Sequence, residues 1–135
     1  MKKRDRAVRL NRGWQPVDII FCPNQKAWDR EIKRLNGDQP WPESANKGGH
    51  CLLGENDVTG VSAVLVAVFC GAERDAHEVI MTLVHEAVHV WQFCCNVMGE
   101  TAPGIEIEAY AIEEISRGLV DAYCKTRGKN KDWSV

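Results

Sequence analysis

The apolar positions of this chain fall into six runs separated by turn-forming residues. "PVDIIFCPN" is short, rich in β-branched residues and bounded by Pro16 and Pro23, which predicts a buried strand. "NQKAWDREIKRLNG" places Trp28, Ile32 and Leu35 on one helical face. Asn24 stands at its start as a cap and Asn36-Gly37 at its end as a stop, so an amphipathic helix is expected. "DQPWPESANKGG" has two X-Pro steps and a glycine pair and reads as a loop. "HCLLGE" predicts a short strand, "NDVTG" a turn, and the Val-dominated "VSAVLVAVFCG" a second buried strand ending at Gly71.

The last two runs are longer. From a cap at Asp75 to Gly99, Ile80, Leu83, Val84, Ala87, Val88, Trp91 and Phe93 cover most of a helix circumference, as in a helix buried nearly all round. After the breaker "TAPG", "IEIEAYAIEEISRGLVDAYCK" predicts a last helix with Ile105, Ala109, Ile112, Ser116 and Leu119 as its inward stripe. The order strand, helix, strand, strand, helix, helix predicts an α+β fold in which helices pack on a small mixed sheet.

Composition narrows this picture without changing it. The 135 residues suit one domain over 1–135, and 44% apolar with 27% charged residues is ordinary for a globular protein. The net charge of −2 points to neither nucleic acid nor a membrane. Lys and Arg crowd both ends, so residues 1–13 and 125–135 are expected to be basic, flexible tails. No apolar run is long enough to cross a bilayer as a helix, and no apolar stretch of a secretory signal follows the basic start. The expected compartment is the cytoplasm. The six cysteines form no C-x-x-C pair and sit in or beside apolar stretches, which favours small buried thiols over disulfides or a cysteine zinc site.

One feature does not belong to a core helix. Within "MTLVHEAVHVWQ", His85 and His89 stand four residues apart and therefore side by side, within reach of one zinc ion. Glu86 lies about 100° round the helix, beside the metal position, where a base would take a proton from activated water. Ionisable groups on a buried helix need partners, and a metal supplies one to both imidazoles. A third protein ligand is required. His50, His77 and the carboxylates Glu106, Glu108, Glu113 and Glu114 are the available donors, and for Glu113 and Glu114 a solvated helix face is the expected role.

"VHEAVHVWQ" followed by a helix with "EIEAYAIEEI" resembles the gluzincins, zinc metallopeptidases with H-E-x-x-H on one helix and a ligand glutamate on the next; small forms of this kind occur in phages and mobile elements. The resemblance covers roughly residues 61 to 120. It implies a zincin-like core and peptide-bond hydrolysis through a metal-activated water in the cytoplasm. Zinc would be held by His85, His89 and Glu106, with Glu86 as catalytic base. Glu106 through Ala111 fits the pattern E-x-x-A-[DEN]-A except at its fifth position, where Tyr110 stands. The Tyr110 phenol would then meet an imidazole or the substrate oxyanion. His50 is a second oxyanion candidate, and Glu108 an alternative ligand about 200° from Glu106. By the same resemblance, "HCLLGE" or "VSAVLVAVF" would align an extended peptide substrate. The competing expectation is a binding module that uses zinc as a staple to grip a protein or nucleic-acid partner.

Overall fold

The computed structural model describes residues 2–44, 47–69 and 74–127. A 3-10 turn at Lys3–Asp5 precedes β1 (Val8–Arg9), β2 (Asp18–Cys22), α1 (Gln25–Arg34), β3 (Gly49–Glu55), β4 (Ser62–Val68), α2 (Ala76–Met98) and α3 (Ile105–Thr126). The strands form one mixed sheet in the order β1-β2-β4-β3. β2 and β4 are parallel, while β1 and β3 run antiparallel to their neighbours. The fold is therefore α+β, as the sequence pattern predicts.

Period-two alternation divides the core between the two faces of the sheet. Ile20, Cys22, Leu65 and Ala67 point to one face and pack under Trp28, Ile32 and Leu35 of α1. Ile19, Phe21, Val64, Val66 and Val68 point to the other and pack under α2 and α3. β2 and β4 are buried from both sides, which explains why both read as continuous apolar runs.

The helix ends follow the caps. Asn24 Oδ1 accepts from Ala27 N at 3.1 Å. Asp75 Oδ1 accepts from Glu78 N at 2.9 Å. Gly99, at φ 72°, takes the left-handed conformation that closes α2, and Glu100 N donates back to Cys95 O at 2.8 Å.

Four expectations need correction. The basic start is not a free tail: Val8 and Arg9 pair with Phe21 and Ile20, and Arg9 and Arg12 both bond Asp18 at 3.1 Å. A two-residue strand in a charged segment carries no periodic signal, so only the long-range pairing reveals it. At the other end α3 runs to Thr126; the remainder of the expected basic tail lies outside the described residues apart from Arg127.

Second, α2 is not buried all round. Val79, Leu83, Ala87 and Val90 face the sheet, whereas Met81 and Val84 are exposed. Third, the buried stripe of α3 is Ala111, Ile115, Leu119, Ala122 and Tyr123; of the predicted stripe only Leu119 is buried, and Ile105 is 85% exposed. "IEIEAYAIEEI" offers apolar residues on several faces, so its periodicity does not select one. Fourth, the thiols differ in burial. Cys22, Cys94 and Cys95 are buried, Cys51 is half-buried and Cys124 is exposed, while Cys70 lies outside the described residues. Burial pushes the Cys94 thiol up to about 11 and leaves it unreactive.

Candidate metal centre

α2 is the element that builds the site. Its caps fix its ends, its apolar stripe fixes its rotation on the sheet, and the i, i+4 spacing then sets His85 and His89 together. Their ring centroids lie 4.9 Å apart with planes at 75°. The ligand atoms of His85, Glu86 and His89 all lie within 4.8 Å of one another, so these three can hold a metal ion. Both imidazoles are exposed, whereas Glu86 is only 4% exposed.

Glu86 is the unusual member. Its Oε2 atom is buried and has no hydrogen-bond partner among the described residues. Burial raises its pKa; charge on His85, His89 and Lys47 acts in the opposite direction. An unsatisfied buried carboxylate is costly, and a cation or a bound water held by one would relieve it.

His89 is oriented from behind. Its Nδ1 lies 2.9 Å from Gln92 Oε1. With that amide oxygen toward the ring, Nδ1 donates the proton and Nε2 keeps its lone pair for a ligand. Gln92 drew no notice in the sequence, although its position three residues beyond His89 is the available signal.

The opposite wall is β3. A cleft of about 650 Å³ runs between Lys47–Cys51 and one flank of α2 from Met81 to Phe93, with His85, Glu86 and His89 along that flank. Gly49 permits the close approach: a Cβ there would meet Ala67 O at 2.8 Å, Thr82 Cγ2 at 2.8 Å and Glu86 Cγ at 3.3 Å. Arg74 ties the two walls, with its Nη1 donating to Gly48 O at 2.9 Å and Phe69 O at 3.0 Å and its Nη2 to Thr82 Oγ1. Cys51 lies close enough to feel Glu86, and burial foremost pushes its thiol up to about 12.

The other expected residues are distributed unevenly. His50 lines the cleft; burial lowers its pKa, with Lys47 and His89 adding to the effect, but its ligand atoms stand outside the three-residue cluster. His77 is exposed on the first turn of α2. Glu106 and Tyr110 are exposed on α3, and neither lines the cleft. Glu108 accepts from Trp91 Nε1 at 2.8 Å, which commits its carboxylate to the α2–α3 contact. Glu113 pairs with Arg117 at 3.2 Å and Glu114 accepts from Trp14 Nε1 at 3.1 Å, so both are exposed surface groups as expected. Of the two strands considered for substrate pairing, β4 has neighbours on both sides; β3 pairs with β4 alone and is the sheet-edge strand bordering the cleft.

No family model matches the chain, and neither a curated protein nor a solved structure matches it. None of the helices among the described residues is long and apolar enough to cross a membrane.

Proposed function

We propose that the protein is a zinc-dependent metallopeptidase, a hydrolase acting on peptides or proteins, of the gluzincin type that its two helices resemble. The observation that carries this reading is the Glu86 carboxylate. It is buried beside two converging imidazoles, and one of its oxygens has no partner. A core helix gains nothing from such a group, whereas a base beside a metal needs this position. The donor set also fits zinc, which accepts imidazole nitrogen and carboxylate oxygen.

His85 and His89 would hold the ion, with Gln92 fixing the His89 ring. The resemblance assigns the third ligand to Glu106, which stands exposed on α3 outside the cleft lining, while Glu108 is engaged by Trp91. When bound, zinc supplies Lewis-acid activation of a water molecule and of the scissile carbonyl. Glu86 accepts the proton released by the attacking water and delivers it to the departing amine. The free edge of β3 holds the substrate extended alongside the site. A staple that only stabilises a binding module needs no base, and an open cleft over the ligands suits hydrolysis better than a closed structural site.

The test compares the zinc-loaded protein with its Glu86→Gln variant on a degenerate peptide library read by mass spectrometry. Glu86→Gln keeps one zinc per chain and loses about 10²–10⁴-fold in cleavage rate. Equal cleavage by the two proteins removes Glu86 as the base, and zinc-free material of native fold removes the metal.

A further inference from the structure

We infer that Lys47 makes this cleft selective for substrates bearing a carboxylate next to the bond being cut. The inference rests on the peptidase reading and names the substrate class of that same site. Among the described residues Lys47 is the only lysine or arginine on the cleft wall, immediately before the two glycines at which β3 meets α2. It is exposed and, among the described residues, has no ion-pair partner. Beside it, the Arg74 guanidinium is held through its Nη atoms by Gly48 O, Phe69 O, Glu78 O and Thr82 Oγ1, and its Nε lies 3.9 Å from Glu78 Oε2.

Lys47 lines the same cleft as Glu86 and His50, and its ammonium acts electrostatically on both. The one carboxylate on the cleft wall, Glu86, is sunk into the floor. The opposite flank adds apolar surface from Met81 and Phe93. An extended peptide along β3 therefore passes one unpaired cation, and an anionic group on that peptide completes an ion pair in a partly desolvated cleft. A basic peptide residue at the same place meets repulsion instead. Either an Asp or Glu side chain or a free terminal carboxylate supplies the required chemistry.

The experiment uses a degenerate decapeptide library in two forms, with free and with amidated C-termini. Cleavage sites are recorded for the zinc-loaded parent, Lys47→Ala and Lys47→Glu. Retention of the same libraries on immobilised Glu86→Gln protein, alone and combined with Lys47→Glu, gives a readout that needs no turnover. The parent enriches acidic over amide residues beside the cut by about threefold, Lys47→Ala loses the enrichment, and Lys47→Glu turns it toward Lys and Arg. Enrichment in both libraries identifies a side-chain carboxylate, and enrichment confined to the free-carboxyl library identifies a terminal one. Acid-selective retention that Lys47→Glu reverses upholds the inference even where the parent cuts nothing, in which case the peptidase reading alone falls. Identical retention with and without Lys47→Glu, or identical cleavage profiles from a parent that does cut, overturn it, and cutting by the parent then leaves the peptidase reading in place.

Discussion

Among the described residues two glutamates carry a buried Oε2 atom without a hydrogen-bond partner, Glu31 on α1 and Glu86 on α2. Burial raises the pKa of both. Their surroundings differ. Glu31 Oε2 has Arg34 Nη1 at 3.5 Å and Arg9 Nη2 at 3.7 Å, permanent cations from its own helix and from β1. Glu86 has, among the described residues, no guanidinium in ion-pair contact and lies beside two imidazoles of its own helix on one flank of an open cleft. A buried carboxylate between fixed cations ties structure together. One beside metal-competent nitrogens lacks a fixed counter-charge, and that shortage distinguishes a site from a strut.

The sharpest way to break this comparison is to remove the imidazoles. His85→Ala and His89→Ala are each expected to abolish stoichiometric zinc binding, read by elemental analysis after gel filtration. Gln92→Ala leaves both ligands but frees the His89 ring, and weakens zinc by about 10–100-fold in chelator competition. If His89→Ala retains one tightly bound zinc per chain, the pair is not the metal grip and Glu86 becomes a second strut.

Next in size is the close approach that buries Glu86. A methyl at position 49 would stand 2.8 Å from a backbone oxygen, which cannot swing aside as a flexible side-chain end does. Gly49→Ala is expected to destabilise the fold by about 1–3 kcal/mol in urea denaturation. Gly60 provides the contrast: a Cβ there meets nothing within 4 Å, though its positive φ of 74° still makes alanine unfavourable. Unchanged stability of Gly49→Ala would show that β3 stands off from α2 further than the cleft geometry requires.

A third experiment separates the two candidate ligands on α3. Glu108→Ala leaves Trp91 Nε1 without its acceptor and is expected to cost about 1–2 kcal/mol of stability with zinc affinity intact. Glu106→Ala is expected to do the reverse, leaving stability unchanged and lowering zinc affinity. Zinc lost with Glu108→Ala alone would transfer the ligand role by two residues.

These variants also mark what the sequence could express. His85, Glu86 and His89 were legible because one helical repeat brings them together; local spacing is sufficient. The rotation of α2 was legible only in part, because apolar residues surround it and only the packing shows that Val84 faces water while Leu83 does not. Lys47, Gly49 and Cys51 reach the same cleft through the β3–β4 register, which pairs Gly49 with Val68 and Cys51 with Val66. No local pattern encodes that pairing. The rotation of α3 was hidden for a related reason: Ile105 and Ile112 share one face and Ile107 lies about 200° away, whereas the helix buries Ala111, Ile115 and Leu119, with Trp91 and Trp14 hydrogen-bonded to Glu108 and Glu114.

The smallest effect tests the strut itself. The pKa of Glu31 is raised in the folded chain, with desolvation the largest cause and Arg9 and Arg30 opposing it. A carboxyl whose folded pKa is raised holds its proton more tightly in the folded than in the unfolded chain. Its favourable share of stability is complete below the ordinary glutamate value of about 4.3 and is lost as pH rises through the raised value. Glu31→Gln removes that titration. The urea midpoint of the parent should therefore fall relative to that of Glu31→Gln as pH climbs from about 4, by about 1 kcal/mol or less because the side chain is partly solvated. Parallel midpoint curves for the two proteins would mean that Arg9 and Arg34 compensate the burial in full. Glu31 would then be a balanced ion pair, and Glu86 alone would keep the character of an uncompensated buried acid.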